Sequence, residues 1–330
     1  MITRIAGLLV AMAVGASAAG ALAASSPVPA ARTAPPLRVV TLFTVLTEIA
    51  TAVGGPNVEV RGLLPPGVDP HTFEPAPSAM RELADADLIL ASGLGLESYL
   101  DKLAANSGTR GEIVAVGDAL RGLGPDADPP SSPPGHGVAQ QSRTTGQSRG
   151  ESRAGARGFD PHWWNSLAAT KQVTREIAAA MTALRPAAAA SFAGRADALV
   201  VRLDALDAWT RAQVAGLAPE RRQLVTTHDA FGWFARDYGF TVHPISGLSP
   251  QADPDARDFA RLTELIRSRH IPAVFIEDSD NSKLAAALAR EAGVRLGGTL
   301  YPDGLVPEAD GATYEGLFRH NVRTIVNGLK

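Results

Sequence analysis

Between residues 185 and 217 the chain reads RPAAAASFAGRADALVVRLDALDAWTRAQVAGL, a stretch with the character of one long helix. Phe192, Ala196, Leu199, Leu203 and Leu206 recur at steps of four and three, which puts them on one face. Pro186 sits where a first helical turn tolerates it, and Pro219 follows the end. At about 1.5 Å per residue the helix would be roughly 45 Å long, about as long as a domain is wide. An ordinary amphipathic helix inside one domain is the simpler reading. Its length and mid-chain position favour a spacer between two lobes.

On both sides of this stretch short strands and helices alternate, the pattern of parallel α/β sheets. Before it, strands are expected at 37–43, 58–64, 87–91 and 112–116, and helices at 46–53, 78–84 and 95–105. After it, strands are expected at 223–226, 241–245, 273–277 and 294–299. Helices are expected there at 230–238, 256–268, 283–292 and 313–329. Residues 122–158 differ in kind: they are rich in Pro, Ser, Gly, Gln and Arg and hold almost no large apolar side chain. Such a segment cannot bury enough surface to order itself and reads as a disordered surface loop within the first lobe. Apolar periodicity resumes at Leu167, so it is not a domain boundary.

The chain of 330 residues is long enough for two domains, and its net charge of −3 without a long basic run argues against nucleic acid as a partner. Residues 1–23 read as an export signal: Arg4 in a short positive region, an apolar stretch at 5–19, and Ala21-Leu22-Ala23 as a cleavage site. A membrane anchor is the alternative, but the apolar stretch is too short and too rich in Ala and Gly. The sequence holds no cysteine. Disulfides, thiolate ligation and thiol catalysis are therefore excluded, and a lipid-anchored export signal would need the residue that is missing. A metal site must be built from His, Asp and Glu. The expected map is a signal at 1–23, a leader at 24–36, an α/β lobe at 37–184, a bridging helix at 185–217 and a second α/β lobe at 218–330.

Three of the seven histidines stand in loops at expected strand or helix ends. His71 lies in Asp69-Pro-His-Thr-Phe-Glu-Pro75, His162 in Asp160-Pro-His-Trp-Trp164, and His228 directly after a strand in Thr227-His-Asp-Ala-Phe231. Open α/β sheets place ligands in the loops that leave the carboxyl ends of their strands, and rigid proline and aromatic neighbours preorganise a site. Asp303, in Tyr301-Pro-Asp-Gly304 after the last expected strand, is a fourth candidate, with plain turn chemistry as its alternative. Spacing alone does not make these residues a specific motif.

The stretch GLLPPGVDPHTFEPAPSAMRELADADLILASGLGLESYL resembles the signature of the zinc- and manganese-binding receptors of ABC transporters, the cluster A-I or zinc-uptake component A family. FDPHWWNS, LVTTHDAFGWFARDYG, and VFIEDSDNSKLAAALAREAGV through TLYPDGL match in the same order. The resemblance implies a fold of two α/β lobes joined by one long rigid helix, with metal in the cleft between them. It places the metal ligands at His71, His162, His228 and Asp303. It implies a periplasmic receptor, not an enzyme, that delivers its cation to a membrane permease driven by a separate ATPase, with a metal-loading accessory protein as an open question. The protein is expected to be a monomer and free of the membrane.

Three imidazoles and one carboxylate suit Zn²⁺, whereas Mn²⁺ prefers more oxygen and a higher coordination number. Zinc is the expected cargo and manganese the alternative. The rival class is an exported zinc hydrolase, with a vacant coordination position and Glu74 as base, but no H-E-x-x-H or nucleophile motif is present. Many zinc receptors carry a His- and acid-rich loop where this chain has 122–158. Here that loop holds one histidine, His136, beside four arginines and three acids, and is a poor metal collector. His243, His270 and His320 read as structural, the second at a helix C-terminus where its charge suits the dipole. Glu277, Asp229 and Glu74 are candidates for orienting the ligand imidazoles. Trp163, Trp164 and Trp233 are expected to pack around the site.

Overall fold

In the computed structural model the first apolar run forms strand β1 (Leu37–Thr41), buried everywhere except at Arg38. The description covers residues 35–77, 79–125, 159–248, 256–277, 282–308 and 310–330. The export signal, nearly all of the leader, and residues 126–158 of the expected loop, His136 among them, lie outside the described residues.

After β1 come helix α1 (Thr44–Gly54), strand β2 (Val58–Gly62), helix α2 (Ala79–Ala84), strand β3 (Leu88–Ala91), helix α3 (Leu100–Ser107) and strand β4 (Glu112–Ala115). The four strands form one parallel sheet in the order β2-β1-β3-β4. Helix α3 starts later than its sequence suggests. Gly93, Leu94 and Gly95 all have positive φ (81°, 55° and 89°), so no right-handed turn can begin there. The free amides are taken up by carboxylates instead: Glu97 accepts from Ser92 and Gly93, and Asp118 from Leu94.

Helix α4 (Leu167–Leu184) is capped by Ser166, whose Oγ accepts the Ala169 N–H. Pro186 then ends it, and a 3-10 turn at Pro186–Ala188 leads into α5 (Ala189–Val214). The long helix is therefore 26 residues, about 39 Å, shorter at both ends than the stretch from 185 to 217. Its buried face carries Phe192, Ala196, Leu199, Leu203 and Leu206, joined by Val200, Thr210 and Val214. It packs on α1 and α4 of the first lobe.

The second lobe runs β5 (Gln223–Thr226), α6 (Gly232–Tyr238), β6 (Thr241–Pro244), α7 (Ala256–Ser268), β7 (Ala273–Glu277), α8 (Ser282–Ala292), β8 (Arg295–Leu300) and α9 (Tyr314–Leu329). The last helix, α9, packs on the other part of α5, so one rod serves both lobes. Parallel pairs β5-β6 and β7-β8 form two separate two-stranded sheets, and β5 lies alongside β7 without ladder pairing, so the strands follow one another in the order β6-β5-β7-β8. That is the strand order of the first sheet over again. In each lobe the connections reverse direction between two inner strands, β1 and β3 or β5 and β7, and a crevice opens there at the carboxyl ends.

The apolar core follows the rod. One cluster runs from Val39 and Phe43 through Trp163, Trp164, Phe192 and Leu203 to Phe234, Phe275 and Phe318, spanning both sheets. Two smaller clusters cover the outer layers, one around Ile89 and Leu83 and one around Val274 and Leu288. Pro36 to Lys330 accordingly form a single compact unit. No helix among the described residues is long and apolar enough to cross a membrane.

Candidate metal centre

Four side chains that are far apart in sequence meet between the lobes. His71, His162, His228 and Asp303 each offer one donor atom, and these atoms all lie within 4.8 Å of one another. His71 Nε2 is 3.1 Å from His162 Nε2. Asp303 Oδ1 lies 3.5 Å from His71 Nε2, 3.6 Å from His162 Nε2 and 3.3 Å from His228 Nε2.

Each donor is delivered by a short piece of local chemistry. In both Asp-Pro-His segments the aspartate folds back on the chain: Asp69 Oδ1 accepts the His71 N–H at 2.8 Å, and Asp160 Oδ1 accepts the His162 N–H at 2.9 Å. These are Asx turns, which fix the histidine backbone without any regular element. His228 leaves the end of β5, and the Thr226 hydroxyl donates to its carbonyl at 2.8 Å. Asp303 follows β8 by three residues. Its loop is tied down where Asn321 bonds both the N–H and the C=O of Tyr301.

Two imidazoles are oriented from behind. Asp160 Oδ1 lies 2.7 Å from His162 Nδ1, and Glu277 Oε2 lies 2.6 Å from His228 Nδ1. With Nδ1 turned to a carboxylate, Nε2 points at the cluster and is the nitrogen that offers its lone pair to a cation once deprotonated. Glu277 stands at the end of β7, next to β5, so this pair sits in the crevice where the strand order reverses. Asp229, the other acid beside His228, instead gives its backbone N–H to Gly247 O at 3.0 Å. Glu74 is exposed in the loop after His71. Asp160 is the orienting residue that sequence reasoning missed, although its position two residues before His162 was the signal.

The aromatic surround is present. Trp163, Trp164 and Trp233 are fully buried. The Trp164 ring lies 5.2 Å from that of His162, and Trp233 Nε1 donates to Asp160 O at 3.0 Å. His162 and His228 side chains are 0% exposed, while His71 and Asp303 are 9% and 13% exposed. The remaining described histidines stay away from the cluster. His243 on β6 contacts Gln223 Oε1 at 2.8 Å, and His320 on α9 contacts Thr299 O at 2.9 Å. His270 is exposed, just past the end of α7, with φ 53°.

The electrostatics ask for a cation. Burial pushes His162 below the usual imidazole pKa, against the pull of Asp160. Burial also opposes charge on His228, but Asp303 and Glu277 together outweigh it and hold that imidazole well above its ordinary value. Burial would raise Asp303, yet His228 and His71 hold its carboxyl well below the usual carboxylate range. His228 Nε2 and Asp303 Oδ1 are buried without a hydrogen-bond partner. Orphaned donors are costly in a native site, and a divalent cation among three imidazoles and a carboxylate would satisfy them.

A bilobed α/β fold with a buried three-histidine, one-aspartate cluster between its lobes defines a receptor for a divalent metal ion. A profile of the family described as zinc-uptake complex component A, periplasmic, matches residues 39–328, and the chain belongs to that family. The manganese-binding lipoprotein MntA of Bacillus subtilis (strain 168) is 33% identical over 302 residues, covering 89% of this chain and 90% of its own. The zinc-binding protein TroA of Treponema pallidum (strain Nichols) is 32% identical over 297 residues, 88% of each chain. The solved structure of periplasmic zinc-binding TroA superposes with a TM-score of 0.74 at 31% identity, covering 89% of this chain and 99% of that one. The protein is thus a metal-binding receptor of an ABC importer, a binding protein and not an enzyme, whose partner is the importer's permease.

Proposed function

We propose that this receptor captures Zn²⁺ through His71, His162, His228 and Asp303 and delivers it to its permease. One observation carries the reading. Of the six donor–donor separations, all within 4.8 Å, four are 3.1, 3.5, 3.6 and 3.3 Å, close to the edge of a tetrahedron around zinc. Bonds of roughly 2.0–2.1 Å give an edge of about 3.3–3.4 Å. Four protein donors also close the shell, leaving no open position of the kind a hydrolytic zinc keeps for water. The related TroA is named a zinc-binding protein.

The second reading is a manganese receptor, favoured by the name of MntA, which is slightly more similar in sequence. Mn²⁺ at this site would have to recruit oxygen donors beyond Asp303, since it prefers more of them than the cluster offers.

The lobes are taken as residues 37–184 and 218–330, with the bridge at 185–217. We infer further that residues 1–23 are removed on export, near Ala23, and that the mature receptor works as a monomer.

Competitive titration of the metal-free protein with Zn²⁺ and Mn²⁺ tests the assignment, alongside His228→Ala and Asp303→Ala. One tight zinc equivalent, weak manganese binding and loss in both variants is the expected result. Tight manganese binding moves the protein to the second reading, and the absence of any tight site removes both.

A further inference from the structure

In sequence Asp303 belongs to the second lobe, yet its loop is fastened to the first. Helix α1 makes two of the fastenings. Thr44 Oγ1 accepts the backbone N–H of Leu305 at 2.9 Å, and Glu48 Oε2 accepts that of Tyr314, the first residue of α9, at 2.7 Å. The Gly67 N–H, in the loop that leads to His71, donates to Leu305 O at 2.8 Å. Trp164 and Asn165, just after His162, both donate to Pro302 O, at 2.6 and 3.3 Å. The Tyr314 hydroxyl returns a bond to Trp164 O at 2.6 Å.

The approach is close as well as bonded. Gly304 has φ 121°, and a Cβ there would meet Thr44 Oγ1 at 2.6 Å and the Phe43 ring at 3.0 Å. Only glycine lets the residue after Asp303 lie against the start of α1. None of these contacts uses an atom of the metal cluster.

His228 is held differently. Its carboxylate partner is on β7, the hydroxyl on its carbonyl is on β5, and the following amide bonds Gly247. Its segment meets the first lobe only further along, where Asn165 Nδ2 donates to Ala230 O at 3.0 Å, Trp233 Nε1 donates to Asp160 O at 3.0 Å and the Ser166 hydroxyl donates to Asp237. None of these bonds touches His228 or Glu277 itself.

We propose that Thr44 and Glu48 are positioning residues for Asp303. They keep its loop in register with His71 and His162 whether or not a cation is present. Three of the four donors then form a frame preset by the first lobe, and the His228–Glu277 unit is the part that the second lobe brings to it. The physical basis is ordinary. Glu48 meets an unpaired N–H at the positive end of a 16-residue helix. Thr44 supplies the acceptor for the amide of a buried residue, Leu305, which would be costly to leave unpaired. A frame that needs no reordering on binding holds its ligand longer.

The inference rests on the metal-site reading above, and hydrogen exchange separates the two. In the metal-free wild-type protein the amides of Leu305 and Tyr314 are expected to exchange slowly, as they do with zinc bound. Glu48→Ala combined with Thr44→Val should speed exchange at both amides and raise the rate of zinc release about three- to tenfold. The amide of Val322, deep in α9, should be unchanged, which separates positioning from loss of fold. Glu48→Gln, whose amide oxygen still accepts, should exchange and release zinc at nearly the wild-type rate. Free-loop exchange at Leu305 and Tyr314 in the metal-free wild type would overturn the proposal, as would unaltered zinc release in the double variant. If the wild type takes up no zinc, the metal reading fails while the exchange rates of the metal-free proteins still decide the role of Thr44 and Glu48.

Discussion

His162 and His228 are the same device built in two ways. Each imidazole is fully buried, each has a carboxylate within 2.7 Å of Nδ1, and each turns Nε2 toward the cluster. Asp160 is two residues from its histidine, so that pair is assembled by a turn. Glu277 is 49 residues from its own and reaches it only because β7 lies beside β5. The charges differ too. His162 has Asp160 at 2.7 Å and Asp303 at 3.6 Å, yet burial, helped by the neighbouring His228, wins. His228 lies between Glu277 and Asp303, and the two carboxylates win. Metal-free, one imidazole is poised as a neutral donor and the other holds a proton that the cation has to displace.

Removing either imidazole should have the largest effect. His162→Ala and His228→Ala are each expected to lower zinc affinity by more than about 100-fold, beyond what loss of an outer partner costs. A titration in which one of them binds like wild type would break the equivalence and leave a three-donor site. Removing the carboxylates behind them should cost about 10–100-fold each. Asp160→Ala should be the worse, because the bond it also loses from the His162 N–H, at 2.9 Å, is tighter than the one at 3.4 Å from the His228 N–H to Glu277. Equal losses would mean that the turn adds nothing to the orientation.

The smallest effect sharpens the contrast in charge. His228 is held well above the usual imidazole value, so a cation that binds near neutral pH must expel its proton. Affinity should therefore rise with pH, about tenfold per unit around pH 7 for one displaced proton. Calorimetry in buffers of different ionisation enthalpy counts that proton directly. Glu277→Gln, which keeps an acceptor but removes a charge, should reduce the count. Asp160→Asn should leave it unchanged, because His162 is already neutral. A wild-type count of zero would contradict the raised imidazole.

Much of the fold was legible because its signals are local. Alternating short apolar runs marked the strands, and the repeat through Phe192, Ala196 and Leu199 marked the bridge. What misled was backbone detail: Pro186 divides α4 from α5 instead of sitting inside one helix, and the positive φ of Leu94 delays α3. The four donors were found through ordered family segments, not spacing, since Pro-Asp-Gly around Asp303 is also common turn chemistry. Asp160 could have been read from its offset to His162. Glu277 was only one candidate among three, because choosing it requires knowing which strands are neighbours. The ties from Thr44 and Glu48 to residues more than 250 positions away leave no mark in a single sequence.

The uneven exposure of the donors sets a direction of travel. His162 and His228 form a closed floor, and only His71 and Asp303 touch solvent. A hydrated cation must therefore meet a carboxylate and one imidazole at the rim, and shed its remaining water as it sinks to the two below. If loading and unloading share this rim, the permease meets the receptor on its His71–Asp303 side.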